Sequence, residues 1–277
     1  MRMKMFFVAM ALTLGCSSCM GLTEKGVNLA TDLAMNVMDE ITDSIDNEVE
    51  QHLMNTLKEG EFNQTYDIKD FKGIEAGGIF HIIYTQDKNY SVKISSNHDV
   101  LKMIKVRKHG DELCLDLEGH LSNMHARDLF INAYITAPTL NSIDLSGACA
   151  FTCTRLNTSE ALGIDVSGAA KMDLGQVQCR SLDLDASGAM KMKGCFTVEQ
   201  DVEWECSGAA KVDVEITAHK ISIDNSGASK MTAKVNCQEL KADNSGASKL
   251  ILSGTADKTD FDNSGVSHIV TTDLNKF

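Results

Sequence analysis

The chain has 277 residues, 43% of them hydrophobic and only 5% aromatic, and a formal net charge of −13 at pH 7. That charge excludes a nucleic-acid binder, which needs a basic face to displace counterions. A single Pro against 20 Gly suits long regular stacks better than a loop-rich fold.

The first residues read as a targeting segment. Arg2 and Lys4 are basic, and residues 5–14 form an apolar run too short to span a bilayer. The run ends at Gly15 and Cys16, and Ser17, Ser18 and Cys19 follow at once. Small residues before a Cys at this position resemble a bacterial lipobox, in which the Cys becomes the lipidated first residue of the mature protein. Cys16 is the expected lipidation site and Cys19 the alternative. Residues 1–19 are therefore expected to be a lipoprotein-type signal, and the membrane is a partner through the lipid. The expected address is the bacterial cell envelope, on the outer membrane.

Residues 20–61 differ in kind. Apolar residues recur every fourth position at Leu33, Val37, Ile41, Ile45, Val49, Leu53 and Leu57, without Pro. At 3.6 residues per turn this stripe drifts by about 40° at each step. A long acidic α-helix is expected, serving as a stalk, as a cap or for homo-association.

From residue 62 the pattern becomes that of strands. Residues 78–85 are apolar on both faces, as in a covered strand, and shorter runs follow at 91–94, 104–106, 113–117 and 129–135. Turn signals at 86–89 and 109–111 separate them. Residues 62–140 lack any Ser-Gly pair and are expected to form irregular opening coils or a small capping sheet.

The Ser-Gly pairs begin at Ser146 and recur at Ser167, Ser187, Ser207, Ser226, Ser245 and Ser264, so each unit is 19–21 residues long. Six pairs continue with Ala and the last with Val266. An acid stands two residues before each Ser: Asp144, Asp165, Asp185, Glu205, Asp224, Asp243 and Asp262. Four residues after it stand Ala150, then Lys171, Lys191, Lys211, Lys230 and Lys249, then His268. Between pairs, apolar residues alternate, as Leu182 and Leu184 or Ile221 and Ile223 do. Such a unit holds two or three short strands but cannot bury its own apolar face, so neighbours must stack. Parallel stacking puts equivalent residues about 4.8 Å apart. The expected fold is all-β, a single-stranded parallel β-helix over residues 141–277. In this reading Gly supplies a special corner conformation, Ser bonds the local main chain, and Ala fits where the chain re-enters the core. Asn225, Asn244 and Asn263 are expected to form a ladder of side-chain amides, and the acid and lysine columns to run side by side and offset each other's repulsion.

Seven cysteines lie beyond the targeting segment, from Cys114 to Cys237, and their spacing matches no zinc pattern. In a strand, Cys149 and Cys153 would sit roughly 13 Å apart, beyond the ~7 Å a disulfide allows. Most are read as small core residues.

The covered strand at 78–85, the segment 137–148 and the repeating Ser-Gly-Ala resemble the bacterial family known as putative auto-transporter adhesin, head GIN domain, over residues 62–277. The resemblance implies a right-handed β-helix on an envelope protein, commonly a lipoprotein. It implies no catalytic residues.

Nearly every acid of the array recurs at a repeat position, as a structural ladder does, and no nucleophile-elbow or Walker pattern occurs. No cofactor is expected. A non-enzymatic adhesion or binding module for glycan or protein is the leading reading, with the lysines Lys171, Lys191, Lys211, Lys230 and Lys249 as its candidate face. A structural or self-associating envelope protein whose solenoid ends stack is the alternative, and a polysaccharide-active enzyme the lesser one. Trp204, which takes the place of Ile164 and Leu184, reads either as core or as an exposed platform for sugar.

Overall fold

The computed structural model describes residues 60–119 and 129–275. The lipobox cysteines and the expected helix at 20–61, apart from its last two residues, lie outside the described residues; residues 60 and 61 are not helical. Within those described there is no α-helix, only a 3-10 turn at Leu101–Met103 and nineteen strands.

The chain enters through β1 (Phe62–Tyr66), β2 (Gly73–Gly77) and β3 (His81–Gln86). It then turns away through β4 (Ser91–Ser96), β5 (Ile104–His109) and β6 (Glu112–Leu117), and returns as β7 (Ile131–Ala137). From there short and long strands alternate: β8 (Ser142–Leu145) and β9 (Ala148–Asn157), β10 (Ala161–Val166) and β11 (Ala169–Cys179), β12 (Ser181–Ala186) and β13 (Ala189–Val198), β14 (Asp201–Cys206) and β15 (Ala209–Thr217). After β16 (Lys220–Asn225), β17 (Ala228–Asn244) and β18 (Lys249–Asn263) each run from a long strand into the next short one. β19 (His268–Asn275) ends the array.

Short strands pair in parallel with short strands, and long with long, so each coil lies on its neighbour with equivalent residues in register, apart from one-residue shifts in the pairings of β11 with β13 and β18 with β19. This is the expected parallel solenoid. Strict alternation sends one set of side chains inward, and these form a continuous apolar core from Phe71 to Ala256. Inward columns such as Ile143, Ile164, Leu184, Trp204 and Ile223 hold each coil over the next. Cys149, Cys153, Cys179, Cys206 and Cys237 are buried free thiols in this core, while Cys195 is exposed. Burial pushes the Cys206 thiol up to about 12, as expected when a charge would lose its water.

The opening of the array departs from the sequence reading. Residues 73–86 form a regular coil: Glu75 pairs with Asp144, His81 with Ala150, and Gly78 lies beneath Gly147. Its corner is Gly77–Gly78 in place of Ser-Gly, which hides it from a search on Ser. A further coil, built from β6 and β7, comes later in sequence yet stacks on the opposite side of it. Antiparallel strands then close this end, with β5 on β6, β4 on β7, and β1 on β4. Gly110, at φ +59°, makes the tight turn from β5 to β6. An open parallel edge would template pairing with another chain, and this cap removes it.

The corners also work differently from the expectation. Of the seven Ser-Gly corners, only Gly227, Gly246 and Gly265 adopt positive φ, from +73° to +78°. At Gly147, Gly168, Gly188 and Gly208 the requirement is space, because a Cβ would overlap a carbonyl oxygen of the preceding coil's corner at well under 3.0 Å. That same carbonyl accepts the N–H of the next coil's Ala, as in Ala169 N to Gly147 O at 2.8 Å and Ala189 N to Gly168 O at 2.9 Å. The ladder thus runs through the corner, and only a residue without a side chain lets the coils approach. Two corner serines bond across coils rather than locally: Ser146 Oγ donates to Ala76 O at 3.4 Å and Ser226 Oγ to Cys206 O at 3.3 Å. The motif Ala faces outward, partly or fully exposed; the core position is the residue after it, such as Ala170 or Met190.

The amide ladder forms as expected. Asn225 Nδ2 donates to Asn244 Oδ1 at 2.9 Å, and Asn244 Nδ2 to Asn263 Oδ1 at 3.2 Å. Ser229, Ser248 and Ser267 each donate to the Asn four residues before. Asn225, Ser229, Asn244, Ser248 and Ser267 are buried, so the core turns polar in the last coils, while Asn263 is exposed at the end of the array.

Candidate functional site

Register places the five lysines in a single column on the first half of the long strands, from Lys171 through Lys191, Lys211 and Lys230 to Lys249. Each is partly exposed. Ala150 and the buried His81 extend the column toward the cap, and His268 ends it. The neighbouring outward column is Asp173, Lys193, Asp213, Thr232 and Ile251, so charge on this surface is concentrated in the middle coils.

The acids form a second column on the short strands, beyond the corner. Glu75 begins it, followed by the seven repeat acids from Asp144 to Asp262. Cys114 takes the next place toward the cap and its thiol donates to Glu75 Oε2 at 3.2 Å. Asp144 holds its proton above the usual carboxylate range, first because it is partly buried and then because Asp165 and Glu75 flank it. Burial does the same to Glu112, whose carboxyl lies over Gly73, with Glu75 and Asp144 adding to the effect. Among the described residues, no group of His, Cys, Asp or Glu has the geometry to hold a metal ion.

A third column, on the second half of the long strands, was not singled out by the sequence. It runs from Asn157 through Gln178, Thr197, Thr217 and Asn236 to Thr255, all polar and uncharged. Near its start the repeat breaks. β9 and β11 pair with a constant offset, but between Leu174 and Gln176 the pairing of β11 with β13 shifts by one residue. The two earlier coils have one more residue here, with Thr154 and Arg155, and Gly175 and Gln176, successive on the outer side, while in β13 Cys195 follows Gly194 directly. At this step lies a depression of about 270 Å³ between Arg155, Gln176, Gln178, Cys195 and Thr197. The shortening of units from 21 to 20 residues signals a deletion, but spacing between serines cannot say where in the coil it falls.

The aromatic side chains that a sugar platform would use are mostly inside. Phe151, Phe196 and Trp204 are buried, and Phe261 is partly buried against the core. This settles Trp204 as core.

The model of the family described as "Putative auto-transporter adhesin, head GIN domain" matches residues 70–199 and 196–276. Two solved structures share the fold. A protein described as a putative adhesin from Bacteroides fragilis NCTC 9343 superposes with a TM-score of 0.66 at 21% identity, covering 75% of this chain and 95% of that one. Another putative adhesin, from Parabacteroides distasonis ATCC 8503, gives a TM-score of 0.52 at 15% identity, covering 78% of this chain and 95% of that one. No curated relative matches the chain.

Proposed function

Because the chain belongs to the putative auto-transporter adhesin, head GIN domain family, we propose that it is a non-enzymatic cell-envelope head that binds glycan or protein across its lysine column. The observation that carries this reading is the register that stacks Lys171 to Lys249 at intervals of about 4.8 Å over five coils. A regular row of ammonium groups suits a polymer that repeats its own acceptors. Each contact is weak at an exposed site, and the row makes the sum specific. A lipid on Cys16 tethers the head to the outer membrane.

Binding of the detergent-solubilised full-length protein to glycan and matrix-protein arrays tests the column. Saturable binding is expected, weakened about tenfold or more when Lys191, Lys211 and Lys230 all become Ala. Unchanged binding by that variant would remove the lysines from the site. For the tether, Cys16→Ala is expected to move the protein from the detergent phase to the aqueous phase. If only Cys19→Ala does so, the lipid is on Cys19.

Self-association is the second reading, and one observation favours it. While antiparallel strands close one end of the solenoid, the last short segment, residues 258–263, pairs on one side only among the described residues. Concentration-dependent filaments without ligand binding would support this reading over the first.

A further inference from the structure

We propose that the step between β11 and β13 is a binding site for a carboxylate-bearing sugar residue. The carboxylate would meet Arg155, and the hydroxyls would meet Asn157, Gln176, Gln178 and Thr197. The inference rests on the chain being a binding head, but on a surface separate from the lysine column.

Arg155 is the first reason. Three arginines are described, and two of them have acids: Arg107 reaches Asp116 at 3.0 Å, and Arg180 reaches Glu160 at 3.2 Å. Arg155 is exposed and in no ion pair among the described residues. On a chain of net charge −13, with an acid on every coil, a guanidinium that forms no ion pair among the described residues is available to a carboxylate from outside. Its planar fork matches a carboxylate with two parallel hydrogen bonds.

The surroundings are the second reason. Beside Arg155 the depression presents side-chain amides and a hydroxyl, with no second charge. Asn and Gln each offer both donors and an acceptor, and so pair with sugar hydroxyls that are donors and acceptors in turn. At about 270 Å³ the space is just below the roughly 300 Å³ at which drug-sized sites begin, which suits one ring or a chain end.

The shape is the third reason. It follows from the loss of one residue per coil at Gly175, with Gly194 next in the inward column after Leu174. Concavity therefore occurs where the repeat breaks, and the side chains there are not copies of a structural ladder: Arg155 and Gln176 are followed by Cys195, Glu215 and Lys234.

The test is titration of the full-length protein in detergent with sodium D-glucuronate and, as the neutral counterpart, D-glucose. Binding is followed by saturation-transfer NMR. Glucuronate is expected to bind about tenfold or more tighter than glucose, the worth of a charge-assisted pair. Arg155→Gln is expected to bring glucuronate to the glucose level while leaving the melting temperature unchanged. The triple lysine variant is expected to bind glucuronate like the parent. Equal binding of the two sugars, or undiminished glucuronate binding by Arg155→Gln, overturns the site. So does a poly-glutamate peptide that competes fully and loses its own binding in Arg155→Gln, which would make the step a peptide site. If array binding persists and depends on the lysines while glucuronate gives no signal, this site alone fails. If glucuronate binds and the lysines prove irrelevant, the lysine column fails instead.

Discussion

Gly208→Ala is expected to lower the stability of the array by about 4 kcal/mol or more, because the new side chain is forced into space occupied by backbone. A Cβ on Gly208 would lie on the carbonyl oxygen of Gly188, with that residue's carbonyl carbon and Ser187 O also inside 3.0 Å. None of these is the end of a flexible side chain, so the coils must part. Parting them stretches the bond from Ala209 N to Gly188 O, already 3.1 Å. For a domain of this size the shift corresponds to a melting temperature lower by about 10 °C. Gly163→Ala is the matched control. Its nearest neighbour to a new Cβ is Asn141 O at 3.9 Å, and removing a glycine restricts the unfolded chain, so no loss or a gain of about 0.5 kcal/mol is expected. Thermal melts followed by circular dichroism compare the two. A Gly208→Ala protein melting within about 2 °C of the parent would show that close approach at the corners does not govern stacking.

Trp204→Ala is expected to cost about 3–5 kcal/mol, the range for emptying a large aromatic site. The indole is 1% exposed and lies in the inward column between Leu184 and Ile223. Phe196 meets it edge-on, with ring centroids 6.0 Å apart and planes at 86°. Nε1–H finds a partner in Cys206 Sγ at 3.1 Å. Phe196 itself leans into the room left by Gly194, whose added Cβ would meet its ring at 2.8 Å. The two rings therefore fill one space, and removing the indole unseats both. In a solenoid each coil touches only its neighbours, so the loss should be local. Hydrogen exchange is expected to rise in β12, β13, β14 and β16 while the coil of β2 and β3 keeps its protection. Trp204→Phe should recover most of the stability. If Trp204→Ala exchanged no faster there than the parent, the indole would not be holding these coils together.

Much of this architecture can be read along the chain. The spacing of the serines shows that the units are coils, alternation shows which side chains face inward, and Asn225, Asn244 and Asn263 announce their ladder, because each of these patterns is local and repeats in phase. Trp204 marks the limit. An apolar position in an alternating strand is equally consistent with core and with a platform open to water until the opposite wall, here Phe196, is in place. The coil of residues 73–86 was hidden for a related reason. Its corner has glycine where the others have serine, and the excursion through β4 to β7 separates it from its neighbour in sequence. Its membership rests on the pairing of Glu75 with Asp144, a contact between distant parts of the chain.

The lysine and acid columns were legible as columns, but their placement was not. Five residues of sequence separate Asp165 from Lys171, and whether that brings the two rows together depends on how the backbone turns between them. The structure puts them on opposite sides of the glycine corner, on different strands. The depression at Arg155 lies further from view, since it arises from one residue present in β9 and β11 and missing from β13.

By itself, then, the sequence determined the period, the inward and outward sides, the amide ladder and the identity of the repeat acids and lysines. These follow from chain geometry within one coil. Tertiary structure alone decided the order of the first coils, the antiparallel cap, the stacking contact that demands glycine, and the step beside Arg155. Each of those depends on which coil lies against which and how closely, and that is set by hydrogen bonds between segments that no local pattern connects.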